Sequence, residues 1–220
     1  NEYPTLQILE TGKVYPADEA LADTSFFVFR EDLIRVLQER NAFELIPMIA
    51  NDIQGPEGVW KGIPAFVKHW QLDNPEDSQH SALWRRLSAV LKQGGMFTEN
   101  GQKFKAPYLT AGFPKSLDPK THGLIVGSGV RIREKPTLDS RVVAKLSYDI
   151  VEYIGTSDFT TTLSGESHPW IKIKHEDREG YVFGKFFSLA AQDKAEFSKT
   201  IAGNWGLSLF YAQNTPAEKH

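Results

Sequence analysis

The apolar positions along this chain change their period part-way through. Between residues 25 and 95 they recur at steps of three and four, the spacing of one helix face. In FFVFREDLIRVLQER the positions Phe26, Phe29, Leu33, Val36 and Leu37 share such a face, and Thr24 or Ser25 is placed to cap it. After a break at Asn41, AFELIPMIANDI resumes the helical pattern, with Pro47 marking strain or a new start within it. GPEGVWKG is a turn-rich loop. Pro64 suits the first turn of a helix through PAFVKHWQL, and Ser78 or Ser81 the start of HSALWRRLSAVLKQ. In that last segment Leu83, Trp84, Leu87, Val90 and Leu91 form a stripe, which Gly94 and Gly95 close.

Past Gly95 the pattern becomes extended. Asn100-Gly101 stands between aromatic residues and marks a hairpin turn. Residues 114–122, with Pro114 and Pro119, read as a linker. From 123 to 190 the runs GLIVG, GVRIRE, RVVAKL, IVEYIG, WIKIKH and GYVF are short strands, several alternating with polar residues. Val130 and Ile132 face inward and Arg131 and Arg133 outward, until Pro136 ends the pairing. The segment from Thr156 to His168 reads as a polar loop. Residues 191–200 read as a short helix and NWGLSLFYAQ as a strand with Trp205, Leu207, Leu209 and Tyr211 on one side. Residues 1–24 form an irregular lead-in with at most a short strand at Thr5 to Leu9, and the tail QNTPAEKH is expected to fray. Several short strands with no helix between them predict a small closed or partly closed barrel.

Residues Gly123 to Leu189 resemble the bacterial SH3-like (SH3b) family. The resemblance rests on Val130-Arg131-Ile132-Arg133, Pro136, Ser140, Val142-Val143, Ile150-Val151, Trp170-Ile171-Lys172-Ile173 and Gly180-Tyr181-Val182, about a third of the chain. The chain departs from the family pattern at Arg131, at Ser147-Tyr148-Asp149, at His168-Pro169 and in the long 156–168 segment. FFVFREDLIRVL, LWRRLSAVLKQGG, FKAPYL and GNWGLSLFYAQ resemble a helical region found beside such modules in exported bacterial proteins. The resemblance implies an α+β protein: a mainly helical domain over 1–122, an SH3-like barrel over 123–190, and 191–220 completing the helical part with a strand that packs back on it.

Composition narrows the chemistry. The 220 residues carry a net charge of −3 and a sequence pI of about 6.1, which gives no reason to expect a nucleic-acid partner. No stretch reaches the ~20 apolar residues of a membrane-spanning helix. There is no cysteine, so thiol nucleophiles and thiolate metal sites are excluded in this chain. That removes the cysteine wall hydrolases that such modules accompany. None of the six histidines has a ligand spacing such as H-E-x-x-H, and Gly127-Ser128-Gly129 is a turn, not a nucleophile elbow. Carboxylates cluster at Asp18-Glu19, Glu76-Asp77 and Glu176-Asp177-Glu179; the last group reads as a solvated hairpin turn, and sequence spacing does not show the facing pair that a glycosidase needs. No cofactor and no metal site are expected.

The function expected is binding. An SH3-like groove takes extended peptide through aromatic residues and a charged rim. The candidates are Tyr153, Trp170 and Tyr181 with Arg133, Glu134 and Asp149 as the rim. Phe183 reads as barrel filler, and Trp170 and Tyr181 also have that second reading; the rim charges have a second reading as a solvated strand end and turn. The partner expected is a peptide, a peptidoglycan stem peptide or an envelope protein. Asn1 in place of Met leads to the expectation that a signal segment has been removed and that the protein is exported, periplasmic or envelope-attached. A non-cysteine wall hydrolase and a purely structural module remain the alternatives.

Overall fold

A computed structural model describes residues 12–200 and 202–212. The strand expected at Thr5 to Leu9 and the tail 213–220 lie outside them. The described chain divides into two compact units, residues 16–111 with 192–212 and residues 12–15 with 112–191. Both helix and strand are present, so the α+β class holds. Among the described residues no helix is long and apolar enough to cross a membrane.

The first unit opens with α1 (Thr24–Glu39) and α2 (Ala42–Leu45), followed by β1 (Ile49–Gln54). Asp23, not Thr24 or Ser25, caps α1, its carboxylate accepting the Phe26 N–H at 3.0 Å. Strand β1 corrects the helical reading of AFELIPMIANDI. Pro47 halts the helix, and Ile49 and Ile53 then bury themselves where the strand runs parallel to the C-terminal strand. Helices α3 (Ile63–His69), α4 (Pro75–His80) and α5 (Ala82–Leu91) follow, then the hairpin β2 (Met96–Thr98) and β3 (Lys103–Ala106). Asn100 and Gly101 take positive φ in that turn, as the dipeptide predicts. A one-turn helix, α6 (Tyr108–Gly112), leads away.

Within this unit the sheet order is β1, β12 (Trp205–Tyr211), β11 (Lys194–Lys199), β3, β2. Strand β11 stands where a short helix was expected. Ala195 and Phe197 are fully buried while Lys194 and Glu196 are not, a period of two rather than 3.6. A register shift opposite Glu196 and Phe197 puts a bulge at Ser208, so Phe210 turns inward instead of Leu209 and Tyr211. Phe26 of α1 lies at the middle of the core, its ring centroid 4.2 Å from Phe104 and 4.9 Å from Trp205.

The second unit is a curled antiparallel sheet, a half-barrel. Its strands are β4 (His122–Ile125), β5 (Val130–Arg133), β6 (Val142–Leu146), β7 (Ile150–Leu163), β8 (Glu166–His175), β9 (Arg178–Phe183) and β10 (Phe187–Leu189), in the order β10-β4-β7-β8-β9-β5-β6. Val130, Ile132, Val151, Ile171, Ile173 and Val182 form its buried interior. The segment from Thr156 to His168, expected as a loop, is instead the paired end of a long β7–β8 hairpin. Thr160, Thr161 and Thr162 pair with Pro169, His168 and Ser167. Threonine is β-branched and suits an extended, two-sided ribbon despite its polarity.

Candidate functional site

Alternation in β8 and β9 sorts the aromatic residues. Ile171, Ile173, Gly180 and Val182 face the interior, so Trp170, Lys172, Tyr181 and Phe183 belong to the opposite face. Arg133 pairs with Tyr181 and joins that face, as does Arg131 two residues earlier. A hollow of about 360 Å³ lies here.

Trp170 and Phe183 form its floor, their ring centroids 5.7 Å apart. Trp170 is only 1% exposed, so it supports the groove and does not project into it. Leu138 and Leu163, 43% and 41% exposed, make the apolar walls. The Gly127–Gly129 turn also lines it, and Arg131 and Arg133 supply the charge. Arg133 Nη1 donates to the Ser140 carbonyl at 2.6 Å, which ties the arm carrying Leu138 back to β5. In the same arm the Lys135 N–H donates to Ser140 Oγ at 2.8 Å. The Thr137 hydroxyl donates to Asp139 and holds that carboxyl below its usual range, with the field of Arg133 and Lys135 adding to the effect.

Of the residues singled out from the sequence, the groove brings together Arg133 and Trp170. Tyr181 sits beside them in the sheet, cross-strand from both Arg133 and Lys172, without lining the groove. Glu134 stands at the base of the arm and accepts from Arg141 at 3.0 Å. Tyr153 stacks on Phe187 against the barrel interior, with its hydroxyl 2.9 Å from Thr156 Oγ1. Asp149 is 6% exposed and anchors a turn: its carboxylate accepts the Ser147 N–H at 2.6 Å and Lys13 Nζ at 2.7 Å.

Leu138, Leu163 and Arg131 were not singled out from the sequence as groove residues. The first two carry a readable signal, a lone leucine in an otherwise polar stretch. Among the described residues no three histidine, aspartate or glutamate side chains cluster as metal ligands. In the helical unit a separate hollow of about 420 Å³ lies between the end of α1 and α4. There Arg40 is committed to the Gln79 carbonyl at 2.8 Å. No family model, curated protein or solved structure matches the chain.

Proposed function

We propose that the half-barrel is an SH3-like peptide-binding module and that the protein acts by binding, in the bacterial cell envelope, rather than by catalysis. The observation that carries this reading is the groove over Trp170 and Phe183, with apolar walls at Leu138 and Leu163 and guanidinium groups at its edge. An extended peptide fits such a surface, burying alternate side chains and leaving its backbone to polar groups at the rim. The matches to the SH3b pattern at Val130–Arg133, Trp170–Ile173 and Gly180–Val182 support the same reading and point to peptidoglycan stem peptide or an envelope protein as the partner.

The test is retention of the purified protein on peptidoglycan sacculi, beside Leu138→Asp and Leu163→Asp. Both leucines are exposed, so the substitutions leave the interior packed. Retention by the parent and loss in both variants is the expected result. Equal retention of all three would remove the groove from the binding, and no retention of the parent would remove the wall as the partner.

A further inference from the structure

The charged side chains that line the groove are both arginines. Arg30, Arg35, Arg86 and Arg141 each face a carboxylate within ion-pair distance. Among the described residues Arg131 and Arg133 have no carboxylate within ion-pair distance, as is also true of Arg40, Arg85 and Arg178, although Asp139 in the arm lies within the field of Arg133. Arg133 Nη1 donates to the Ser140 carbonyl, an uncharged acceptor, and Arg131 is exposed beside Lys145, its cross-strand neighbour on β6. No acidic side chain among the described residues lines the groove. Positions i and i+2 of one strand, here Arg131 and Arg133, are about 7 Å apart along the backbone, the same repeat as the side chains on one face of an extended peptide.

We propose that the groove selects an extended acidic peptide whose carboxylates pair with Arg131 and Arg133 while its apolar side chains rest between Leu138 and Leu163. This inference rests on the peptide-binding reading of the groove and adds the chemistry of the ligand. Guanidinium and carboxylate meet in a planar, two-bonded geometry that lysine cannot reproduce. The apolar walls lower the local dielectric and strengthen the pairing relative to open solvent.

Two pentapeptides of alternating leucine and either glutamate or glutamine, blocked at both ends, separate charge from shape. Each is titrated into the full-length, nitrogen-15-labelled protein, and amide shifts are followed by NMR. The expected result is shifts centred on residues 127–133 and 138, with the glutamate peptide bound about tenfold more tightly or better. Arg131→Gln and Arg133→Gln should each erode that preference, and added salt should weaken it. Arg131→Glu should reverse it toward a leucine–lysine peptide. Equal affinity of the glutamate and glutamine peptides in the groove would overturn charge selection and leave the peptide-binding reading standing. Shifts elsewhere or none would overturn both. Binding of the glutamate peptide without retention on sacculi would support the acidic ligand and move the natural partner away from the wall.

Discussion

The indole Nε1 of Trp170 donates to Thr161 Oγ1 at 2.8 Å. The bond crosses a widened stretch of the β7–β8 pairing. Thr156 pairs with Ile171 and Thr160 with Pro169, so Ser157, Asp158 and Phe159 together stand opposite Trp170. A bulge of that kind bends the strand and re-aims the side chains beyond it. Here it brings a threonine hydroxyl over a buried tryptophan and helps set the floor of the groove. Thr161→Val keeps the shape and removes the acceptor, leaving a buried N–H without a partner at a cost of about 1–3 kcal/mol. Thr161→Ser should be nearly neutral. Hydrogen exchange of the Trp170 indole N–H distinguishes them: fast in the valine variant, slow in the serine variant and the parent.

Gly180 is the point where β5 crosses β9. A Cβ there would lie 2.6 Å from Ile132 Cγ2 and 2.9 Å from the Arg133 carbonyl oxygen. A side chain end could move aside, but the Arg133 backbone is held by its pairing with Tyr181. Gly180→Ala should therefore push β5 away and cost about 1–3 kcal/mol. It should also shift the NMR signals of Arg131 and Arg133 and weaken any ligand held there. Unchanged stability and unchanged β5 signals would show that the crossing has slack.

Lys13 and Asp149 join the start of the described chain to the turn after β6. Lys13 Nζ also donates to the Ser147 carbonyl at 2.8 Å, and the Val14 N–H donates to the Tyr148 carbonyl at 3.0 Å. Lys13→Met leaves a largely buried carboxylate without its nearest cation, though His175 Nε2 lies 3.8 Å away. Because Lys13 is itself partly exposed, the loss should be about 1–2 kcal/mol, below the cost for a fully buried pair. A double-mutant cycle with Asp149→Asn should show coupling of about 1 kcal/mol, and additive effects would show that the backbone bonds alone hold the segment.

Legibility followed the periodicity. Helix α5 is plain in its stripe of Leu83, Trp84, Leu87, Val90 and Leu91, all buried. The alternation of Val130 and Ile132 with Arg131 and Arg133 places β5 on the correct faces, since both apolar residues are buried. Strand β1 was hidden because its pairing partner β12 lies far away in sequence, and long-range pairing overrides local preference. Strand β11 pairs with the neighbouring β12 as well as with β3, but its two buried positions, Ala195 and Phe197, are too few to separate a period of two from one of 3.6. The 156–168 segment was hidden by its polarity, since a ribbon exposed on both sides needs no apolar alternation. The same limit applies to the site. Trp170 and Arg133 stand on regular strands whose faces can be counted. Leu138 and Leu163 stand out locally as lone leucines in polar stretches, but they reach the groove only through the folding of an arm and a bulged hairpin, so their place in the site is not encoded locally.

Asp23 provides a test in the helical unit through its pH dependence. Burial alone would raise its pKa, but the Ser25 hydroxyl, the Lys199 ammonium at 3.0 Å and the Phe26 N–H together bring it down to about 2, from 3.8. A carboxyl whose folded pKa is depressed contributes stability that is fully present above its unfolded value. That contribution is lost as pH falls through the folded one. The window is therefore from about pH 4 down to about pH 2. Allowing for solvent screening, the contribution is about 1 kcal/mol. Asp23→Asn retains an acceptor for the cap but cannot ionise, so it should lose about that amount at neutral pH and flatten the stability curve across the window. Asp23→Ala removes the cap as well and should cost about 1 kcal/mol more. Urea midpoints of the three proteins at pH 7, 4 and 2.5 decide the matter. A parent and an Asp23→Asn variant that lose stability in parallel on acidification would assign the acid sensitivity to other carboxylates.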